Sequence, residues 1–400
     1  MELLDQYRSI VGEEKIEELI QKAKPLQGRH VVHVNSTFYG GGVAEVLDNL
    51  VILLNELGVK AGWRLLKGSE SFFEITKKIH NGVQGEELEL TLDLKETYEG
   101  MCEHSAQFMH FDSVDAVVAH DPQVLPLIQN YDKDKPWIWR CHVDISEPDR
   151  DLWEYLKTFI HQYDEMIVSD EKYFKEDIDI PQRVIMPSIN PLNDKNKELR
   201  KEEAEEYLKK AGVDISKPII SQISRYDQWK DPLGVVDVFQ KVKQEVDCQL
   251  VLLGNLATDD PEGEDMYKKV KKKVEGMEDV TVLLNVENND LVVNSLQTLS
   301  QVVLQKSLRE GFALTVSEAL WKGMPVVAGN VGGIPNQIVP GKNGYLVEDI
   351  EECAQRVTEL LKDENKREEM GKYGKEYVRK NFLVTRHVLD HLRLLERILL

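Results

Sequence analysis

Short apolar runs alternate with longer amphipathic stretches along most of this chain of 400 residues. A short apolar run bounded by turn residues favours a buried strand, and apolar positions at helical spacing favour a helix on a sheet. The alternation therefore predicts an α/β protein built from βα units around parallel sheets. The predicted strands are 30–34, 116–119, 137–141, 165–168, 184–186, 219–223, 249–253, 280–284, 302–305 and 326–328.

The pattern starts again in mid-chain, after a polar segment rich in breakers that begins at Asn190-Pro191. A charged helix is predicted from Lys201 to Ala211, ending at Gly212, before a new apolar run opens. We therefore expect two Rossmann-like domains, 1–189 and 190–375, with parallel sheets facing across a deep cleft. The end of the chain, 365–400, is predicted to be helical throughout, and its last part, 376–400, forms a separate C-terminal helix.

The composition sets limits on partners and location. Hydrophobic residues make up 42% and charged residues 30% of the chain, which indicates a folded globular protein. The net charge of -21 argues against nucleic acid or an anionic membrane as a partner, so local donors must hold any anionic ligand. The four dispersed cysteines, the lack of a leader-like start and the lack of a long apolar run predict a reduced, cytoplasmic protein.

Two glutamates eight positions apart, Glu310 and Glu318, bracket a predicted loop and the helix that follows it. The helix is predicted over 314–322, and Gly323 and Pro325 supply the stop. On spacing alone, the pair is also compatible with a solvated helix face. A pair of glycosidase carboxylates is a further alternative, but one helix is a poor way to place two carboxylates roughly 5 to 9 Å apart around one bond.

The backbone between these glutamates offers donors at a helix start. The N–H groups of Gly311, Phe312 and Ala313, next to Leu314, are predicted to lie at the helix N-terminus, where the dipole favours a phosphate. Glu310 would then reach a sugar hydroxyl, and Glu318 a different part of the same ligand. This arrangement suits a nucleotide-sugar.

Two further segments place candidate groups at strand ends. The strand ending at Val34 leads into glycines 40 to 42, where Gly41 and Gly42 let the backbone approach a phosphate or a sugar ring, although a tight turn explains them equally well. Arg225 and Lys230 follow the first strand of the second domain, where cations can neutralise a diphosphate. Two solvated surface cations are the alternative there.

Polar residues also close strand ends in the first domain. His142 and Asp144 follow the strand at 137–141, and Gln123 follows the strand at 116–119 together with His120. We expect His142, Asp144 and Gln123 to bind the hydroxyls of an acceptor sugar, although a histidine at such a point is structural about as often as functional. Asp132-Lys133-Asp134 and Asp177-Ile178-Asp179 have the D-x-D pattern, but both lie in polar loops, and no metal site is predicted.

Arg225, Lys230, the element from Glu310 to Glu318, and Val331-Gly332-Gly333-Ile334 followed by 340–347 together resemble the retaining glycosyltransferases of family four, which have the GT-B fold. Several first-domain segments extend the likeness over nearly the full chain. Segments 33–45, 61–64, 72–82, 120–123 and 141–144 are similar to those of the trehalose glycosyltransferring synthases. The resemblance also implies that the C-terminal helix crosses back to the first domain.

That resemblance implies transfer of glucose from a nucleoside diphosphate glucose, with UDP, ADP or GDP, to free glucose, which yields trehalose reversibly. The resemblance implies that Arg225 and Lys230 hold the diphosphate, that Glu310 faces the donor glucose and Glu318 the ribose, and that the departing phosphate takes the acceptor proton in a front-face attack. With the residues predicted from strand ends, the expected catalytic residues are Glu310, Arg225, Lys230 and His142. The expected donor-binding residues are Gly41, Gly42, Arg225, Lys230, Gly311, Phe312, Ala313, Leu314 and Glu318. Ala313 and Asn190 depart from the family pattern, which commonly has glycine and aspartate there.

Two other functions stay open from the sequence. Trehalose phosphorylases of the fungal type have the same pattern and use glucose 1-phosphate instead of a nucleotide sugar. A non-catalytic module that binds sugar nucleotides is disfavoured because Arg225, Lys230, Glu310 and Glu318 are all present. We expect small-molecule substrates and no required cofactor or metal. The sequence is compatible with a homodimer.

Overall fold

The computed structural model describes residues 2–38, 41–256 and 262–400, and it divides into two compact units. The first unit comprises the chain up to Pro187 together with Val384–Leu400, and the second comprises Ser188–Leu383. Each unit has its own six-stranded parallel sheet with helices packed against it. The α/β class with two parallel sheets is thus the one the hydrophobic pattern predicts.

The first unit carries a sheet with the strand order β2-β1-β3-β4-β5-β6, in which every pairing is parallel. Its strands are β1 His30–Asn35, β2 Lys60–Leu65, β3 Ala116–His120, β4 Trp137–Arg140, β5 Glu165–Val168 and β6 Gln182–Val184. Its helices before the linker are α1 Glu2–Val11, α2 Glu13–Ala23, α3 Gly42–Glu56, α4 Glu70–Val83, α5 Leu92–Ala106 and α6 Arg150–Ile160.

The second unit carries a sheet with the order β12-β11-β10-β7-β8-β9, again wholly parallel. Its strands are β7 Ile219–Ile223, β8 Gln249–Gly254, β9 Val280–Leu284, β10 Val302–Gln305, β11 Val326–Gly329 and β12 Gly344–Val347. Its helices are α7 Lys201–Lys210, α8 Pro232–Lys243, α9 Gly263–Lys273, α10 Asn289–Leu299, α11 Leu314–Trp321, α12 Ile350–Lys362 and α13 Glu364–Asn381. Helix α14, Val384–Leu399, belongs to the first unit.

Short 3-10 turns complete the connections. They are Lys24–Leu26, Pro122–Asn130, Glu171–Tyr173, Gln228–Lys230 and Ile334–Asn336. The central strands β3, β4, β7, β8 and β10 are buried along their whole length, which is why they read as continuous apolar runs in the sequence. Parallel strands that point the same way bring their carboxyl ends, and the loops after them, to one edge of each sheet.

Three features of the sheets differ from the sequence prediction. Strand β2 lies at the edge and is only half-buried, and β12 is a short edge strand, so neither gives a long apolar run, and both were missed. Strand β6 ends at Val184, two residues before the predicted end. The reason is that the Met186 carbonyl accepts from Arg386 Nη1 at 2.8 Å and from His387 Nδ1 at 2.9 Å.

The stretch 365–400, predicted to be helical throughout, is helical except at Phe382, Leu383 and the last residue. Helix α13 ends at Asn381, and Leu383 instead forms a parallel bridge with Ile189, whose N–H donates to the Phe382 carbonyl at 2.9 Å. Only Phe382 and Leu383 therefore separate α13 from α14. The residues 376–381, assigned from the sequence to the terminal helix, are part of α13 in the second unit.

The four cysteines, Cys102, Cys141, Cys248 and Cys353, are all buried free thiols. Burial raises the pKa of Cys248 to about 11, so the thiol form is retained at neutral pH. Among the described residues, none of the helices combines the length and the hydrophobicity that a bilayer crossing needs.

Candidate functional site

Glu310 and Glu318 lie on either side of the start of α11, as the sequence predicts. The connection from β10 carries Glu310, and α11 carries Glu318 in its second turn. Glu310 is 8% exposed and Glu318 is 3% exposed. This burial excludes the solvated helix face that the spacing alone allowed, because a buried carboxylate needs partners within the protein or from a ligand.

Glu310 has a cationic partner. Its Oε2 lies 2.5 Å from Lys230 Nζ, and it also accepts from Ser307 Oγ at 3.2 Å and from Gln305 Nε2 at 3.4 Å. The Lys230 ammonium and two further donors therefore satisfy this carboxylate oxygen within the protein. The sequence predicts that Lys230 and Glu310 both follow strands of one parallel sheet, and in the structure their charged groups are in direct contact.

Glu318 has a different surrounding. Its Oε2 accepts from Gln297 Nε2 of α10 at 3.0 Å, and its Oε1 lies 3.9 Å from Lys195 Nζ. Gln297 is fully buried, and its own Oε1 has no hydrogen-bond partner. The sequence did not point to Gln297 or Lys195. Gln297 lies on the amphipathic helix α10, and Lys195 lies in the polar segment that begins at Asn190.

The helix between the two glutamates begins in a strained conformation. Ala313, the N-cap residue of α11, has φ 69° and ψ 83°, in the left-handed region. The turn is held by Gln337, whose Oε1 accepts from Ser317 Oγ at 2.6 Å and whose Nε2 donates to the Phe312 carbonyl. Alanine in this conformation is strained and glycine is not. The departure from the family pattern at 313, alanine in place of glycine, therefore has a conformational cost.

The glycine pair at 332 and 333 packs directly against this loop. Gly332 has φ +55°, and a Cβ built on it would lie 1.5 Å from the Glu310 carbonyl oxygen. A Cβ on Gly333 would lie 2.6 Å from the Gly311 carbonyl oxygen, and the Gly333 N–H donates to the Glu310 carbonyl at 3.3 Å. The two glycines thus fix the backbone that carries Glu310, a role that the sequence pattern alone did not reveal.

Arg225 and Lys230 follow β7, and Lys230 is the last residue of the 3-10 turn Gln228–Lys230. Arg225 is half-buried. The turn is fixed because the Trp229 carbonyl accepts from the Leu308 N–H at 2.8 Å and the Lys230 carbonyl accepts from Gln222 Nε2 at 2.7 Å. Lys230 therefore approaches Glu310 from a backbone tied to the loop after β10.

A second buried ion pair lies next to this turn. Asp231, with φ 46°, caps α8 by accepting from the Gly234 N–H at 2.9 Å, and its other carboxylate oxygen binds Lys306 Nζ. A Cβ on Gly234 would lie 2.1 Å from Asp231 Oδ2, so the Asp231 carboxylate would have to move from its place at the start of α8. Lys306 and Asp231 were not singled out from the sequence, although both lie at the carboxyl edge of this sheet.

In the first unit, the glycine turn after β1 begins α3. Gly42 is its first residue and Gly41 is its N-cap, while Gly40 lies outside the described residues. Gly41 has an ordinary φ of -150°, and a Cβ on it would meet nothing within 4 Å. Neither backbone strain nor packing among the described residues requires glycine at 41.

The three predicted acceptor residues follow β3 and β4. His142 is partly buried and its Nε2 lies 2.9 Å from His120 Nδ1, which makes it one end of a histidine chain. Asp144 Oδ1 accepts from both the N–H and the Oγ of Ser146, at 2.9 and 2.6 Å. Gln123 has a buried Oε1 without a hydrogen-bond partner.

No group of three or more His, Cys, Asp or Glu side chains within the described ranges is arranged to hold a metal ion. Asp177 is bonded instead to Lys157 Nζ at 2.9 Å and to Trp153 Nε1 at 3.1 Å, and Asp134 pairs with Lys135 at 2.9 Å. Lys157 and Lys135 therefore neutralise the carboxylates of Asp177 and Asp134. Both D-x-D segments thus have protein partners on at least one aspartate.

A hollow of about 390 Å³ in the second unit lies at the opposite edge of the sheet. It is lined by residues that precede β10 and β11, including Gln301 and Pro325, and by the starts of α7 and α13. None of the candidate residues lines it. Because open α/β sheets bind ligands at the carboxyl ends of their strands, this cavity does not lie at the edge of the sheet where a ligand is expected.

Family models match both halves of the chain. A model described as trehalose synthase, N-terminal domain, matches residues 33–175, and one described as glycosyl transferases group 1 matches residues 203–377. Trehalose synthase from Pyrococcus horikoshii is 45% identical over 98% of this chain and 95% of its own length. Trehalose phosphorylase from Grifola frondosa is 29% identical over 94% of this chain and 58% of its own length.

Among solved structures, the trehalose-6-phosphate synthase OtsA superposes with a TM-score of 0.74 over 92% of this chain and 99% of its own, at 13% identity. At that identity the likeness establishes the fold alone. The GT-B architecture expected from the sequence is thereby confirmed, as is the resemblance to the trehalose glycosyltransferring synthases.

Proposed function

Because this chain belongs to the trehalose synthase family of glycosyltransferases, we propose that it transfers glucose from a nucleoside diphosphate glucose to free glucose with retention, making trehalose reversibly. The family match supports glycosyl transfer connected with trehalose. The donor, the acceptor and the stereochemical course are the finer parts of the proposal, and they rest on the candidate residues.

The observation that carries the proposal is the buried Lys230–Glu310 pair next to the start of α11. A lysine ammonium has three donors, so contact with Glu310 leaves two for the oxygens of a diphosphate. Arg225, after the same strand, supplies a second cation in a protein whose net charge is -21. Together with the N–H groups at the helix start, these cations offset the charge that grows on the leaving diphosphate.

Glu310 and Glu318 are assigned separate parts of the donor. The carboxylate of Glu310 would accept from a hydroxyl of the transferred glucose, and its charge would favour the positive charge that develops at the anomeric carbon. Glu318, fixed by Gln297 at 3.0 Å, would accept from the ribose hydroxyls. In this proposal the departing phosphate takes the proton of the attacking hydroxyl, so no protein base is needed.

On the acceptor side, we assign His142, Asp144 and Gln123 to the hydroxyls of free glucose. Gln123 Oε1 is a buried acceptor without a partner, and His142 is only partly buried. A neutral sugar is recognised by fixed hydrogen-bond pairs, and a buried polar group left unpaired costs about 1 to 3 kcal/mol. We assign Gly41 and Gly42 to close backbone contact with the donor. Packing does not require glycine at 41, because a Cβ there would meet nothing within 4 Å.

The relatives named trehalose phosphorylase make a phosphorolytic reaction the second candidate. The same cations would then hold the phosphate of glucose 1-phosphate, and no nucleoside would be bound. The role given to Glu318 distinguishes the two candidates, because glucose 1-phosphate has no ribose.

Product analysis by NMR tests the proposal. The protein is incubated with glucose and, in separate reactions, UDP-glucose, ADP-glucose, GDP-glucose or glucose 1-phosphate. We expect the α,α-1,1 disaccharide and a nucleoside diphosphate from at least one nucleotide donor. Disaccharide formed only from glucose 1-phosphate, with release of inorganic phosphate, would establish the phosphorylase instead, and no disaccharide from any donor would refute both.

A further inference from the structure

The two carboxylate oxygens of Glu318 have different surroundings. Oε2 accepts from Gln297 Nε2 at 3.0 Å. Within the described ranges Oε1 accepts no hydrogen bond, and Lys195 Nζ lies 3.9 Å from it, which is too far for one. The Glu318 side chain is 4% exposed, and Oε1 is not one of the fully enclosed polar atoms. A carboxylate oxygen in so dry a place needs a donor, and Oε1 is open to one from a ligand.

Helix α10 fixes the backbone on both sides of Lys195. Asn294 Nδ2 donates to the carbonyl of Asp194 and to the carbonyl of Lys197, each at 2.8 Å. Asn294 is fully buried and lies one turn before Gln297 on the same helix. The segment that carries Lys195 is therefore tied to the helix that holds Oε2 of the glutamate.

Helix α11 fixes the same segment from a second direction. Trp321 Nε1 donates to the Asn196 carbonyl at 3.1 Å, and Lys322 Nζ donates to Asn196 Oδ1 at 2.9 Å. Asn196 is 1% exposed. Because Glu318 lies on α11, the backbone next to Lys195 has a fixed position relative to Glu318.

The separation of Lys195 Nζ from Glu318 Oε1 suits one kind of chemical group. The group must donate to Oε1 and accept from the ammonium, whose three N–H donors also serve partners within the protein. A phosphate oxygen accepts but does not donate, and it would face the charge of Glu318, whereas a hydroxyl does both. An oxygen about 2.8 Å from both atoms would subtend roughly 90° between them, which a hydroxyl tolerates.

We propose that Lys195 and Glu318 Oε1 together bind one ribose hydroxyl of the donor, whose oxygen accepts from Lys195 and whose hydrogen is donated to Oε1. Lys195 is then a specificity-determining residue for the nucleoside. Gln297 is a positioning residue, because its bond to Oε2 keeps Oε1 turned towards Lys195. The inference rests on the proposed function, which assigns Glu318 to the ribose.

Calorimetry on the full chain tests the role of Lys195. UDP, ADP and GDP are titrated first, and the nucleotide that binds most tightly is compared with its 2′-deoxy and 3′-deoxy analogues. We expect the wild type to bind one of the analogues at least about tenfold more weakly than the ribonucleotide, because that analogue leaves both polar groups unpaired. Lys195→Met keeps most of the side-chain length and removes the ammonium. It should weaken the ribonucleotide about tenfold and leave the affinity for that analogue within about twofold.

Lys197→Met is the matched control. Lys197 lies in the same segment, its side chain is 43% exposed, and its Nζ pairs with Asp194 Oδ1 at 2.5 Å. The control removes the same charge from the same part of the surface, so a general effect of charge on nucleotide binding would occur in both variants. We expect Lys197→Met to change each of the affinities by less than about twofold.

Three results would overturn the inference. Equal weakening of the ribonucleotide and both analogues in Lys195→Met would show that Lys195 acts on the diphosphate. A wild type that binds all three nucleotides equally would refute the hydroxyl contact while the proposed function stands. No binding of UDP, ADP or GDP would refute the inference together with the nucleotide donor. Circular dichroism establishes that each variant is folded, and Lys195→Ser has the same expected results if Lys195→Met does not fold.

Discussion

The Nζ atom of Lys230 lies 2.5 Å from Oε2 of Glu310, and the two residues are 80 positions apart in the chain. Their side chains are 19% and 9% exposed, so the pair is largely withdrawn from water. Removing one member leaves the other as a poorly compensated buried charge, which is costly. Lys230 and Glu310 therefore act as a unit, and variants of either need readouts that separate folding, donor affinity and turnover.

Glu310→Gln and Glu318→Gln should affect different kinetic constants. Glu310→Gln keeps the shape of the side chain but removes the charge that favours the transition state, so kcat should fall by at least about tenfold, or about 1.4 kcal/mol. Glu318→Gln should mainly raise the donor KM and weaken the binding of free nucleoside diphosphate. Steady-state kinetics and calorimetry on both variants measure these effects.

Gln297→Ala is a useful companion to Glu318→Gln. Gln297 touches Glu318 at 3.0 Å and is fully buried, so its loss should change donor affinity in the same direction without altering the carboxylate. Small and equal changes in every constant for the two glutamate variants would mean that neither carboxylate touches the donor.

Ala313→Gly should stabilise the protein. Ala313 has φ 69°, where an L-residue is strained by about 1 to 2 kcal/mol, while glycine costs about 0.5 to 1 kcal/mol of extra unfolded-state entropy, so a net gain of some tenths of a kcal/mol is expected. Ala211, with φ -76° at the end of α7, is the matched control, and Ala211→Gly should destabilise. Thermal denaturation compares them, and shifts of the same sign would contradict the strain at Ala313.

Gly332→Ala should disrupt the loop that carries Glu310. A Cβ at 332 would lie 1.5 Å from the Glu310 carbonyl oxygen, so the backbone must move. Gly341→Ala is the control, because Gly341 also has a positive φ, +76°, but a Cβ there would meet nothing within 4 Å. We expect Gly341→Ala to lose about 1 to 2 kcal/mol of stability, and Gly332→Ala to lose more together with at least tenfold in kcat. Equal losses would show that the close approach is unimportant.

Much of the fold could be predicted because central parallel strands are covered on both faces. The runs that became β3, β7, β8 and β10 are buried throughout, and their predicted bounds agree with the observed ones to within one residue. Edge strands have weaker patterns, which explains why β2 and β12 were missed. The break between α13 and α14 depends on the bridge from Leu383 to Ile189, almost two hundred positions away, which no local pattern contains.

The positions of the candidate site residues could also be predicted, but their contacts could not. Residues at strand ends, such as Lys230 and His142, could be placed at a sheet edge from topology alone. Their partners could not, since pairing depends on distances between loops. Gln297 beside Glu318 and His33 beside His120 emerged only from the structure, because a buried polar residue within a helix or strand looks like any other position in the sequence.

Transfer should not need a bound metal. Arg225, Lys230 and the N–H groups at the start of α11 can offset the charge of the diphosphate, so treatment with a chelator should change the rate less than twofold. The measurement is the initial rate with the active nucleotide donor before and after chelation, at constant ionic strength because added ions screen charges. Full loss of transfer that only one metal restores would contradict this prediction.

Stability should fall as the pH decreases from about 6.5 to about 4. The pKa of buried His33 is lowered from 6.5 to about 4, so in that window the unfolded chain binds a proton that the folded chain does not bind. At about 1.36 kcal/mol per unit, His33 alone accounts for a loss of about 3 kcal/mol by pH 4. His120, His142, His387 and His391 add to it, since burial lowers their pKa values as well.

Urea denaturation midpoints at several pH values between 7.5 and 4.5 measure this loss. His33→Asn removes one of the titrating groups and should give a shallower decline than the wild type. His161 is exposed, and His161→Gln should follow the wild-type curve. The carboxylates of surface ion pairs titrate lower, around the 3.8 of an aspartate or below it, so they contribute little above pH 5. A midpoint that does not change between pH 7 and 5 would show that the histidines of this cluster are not held neutral by burial.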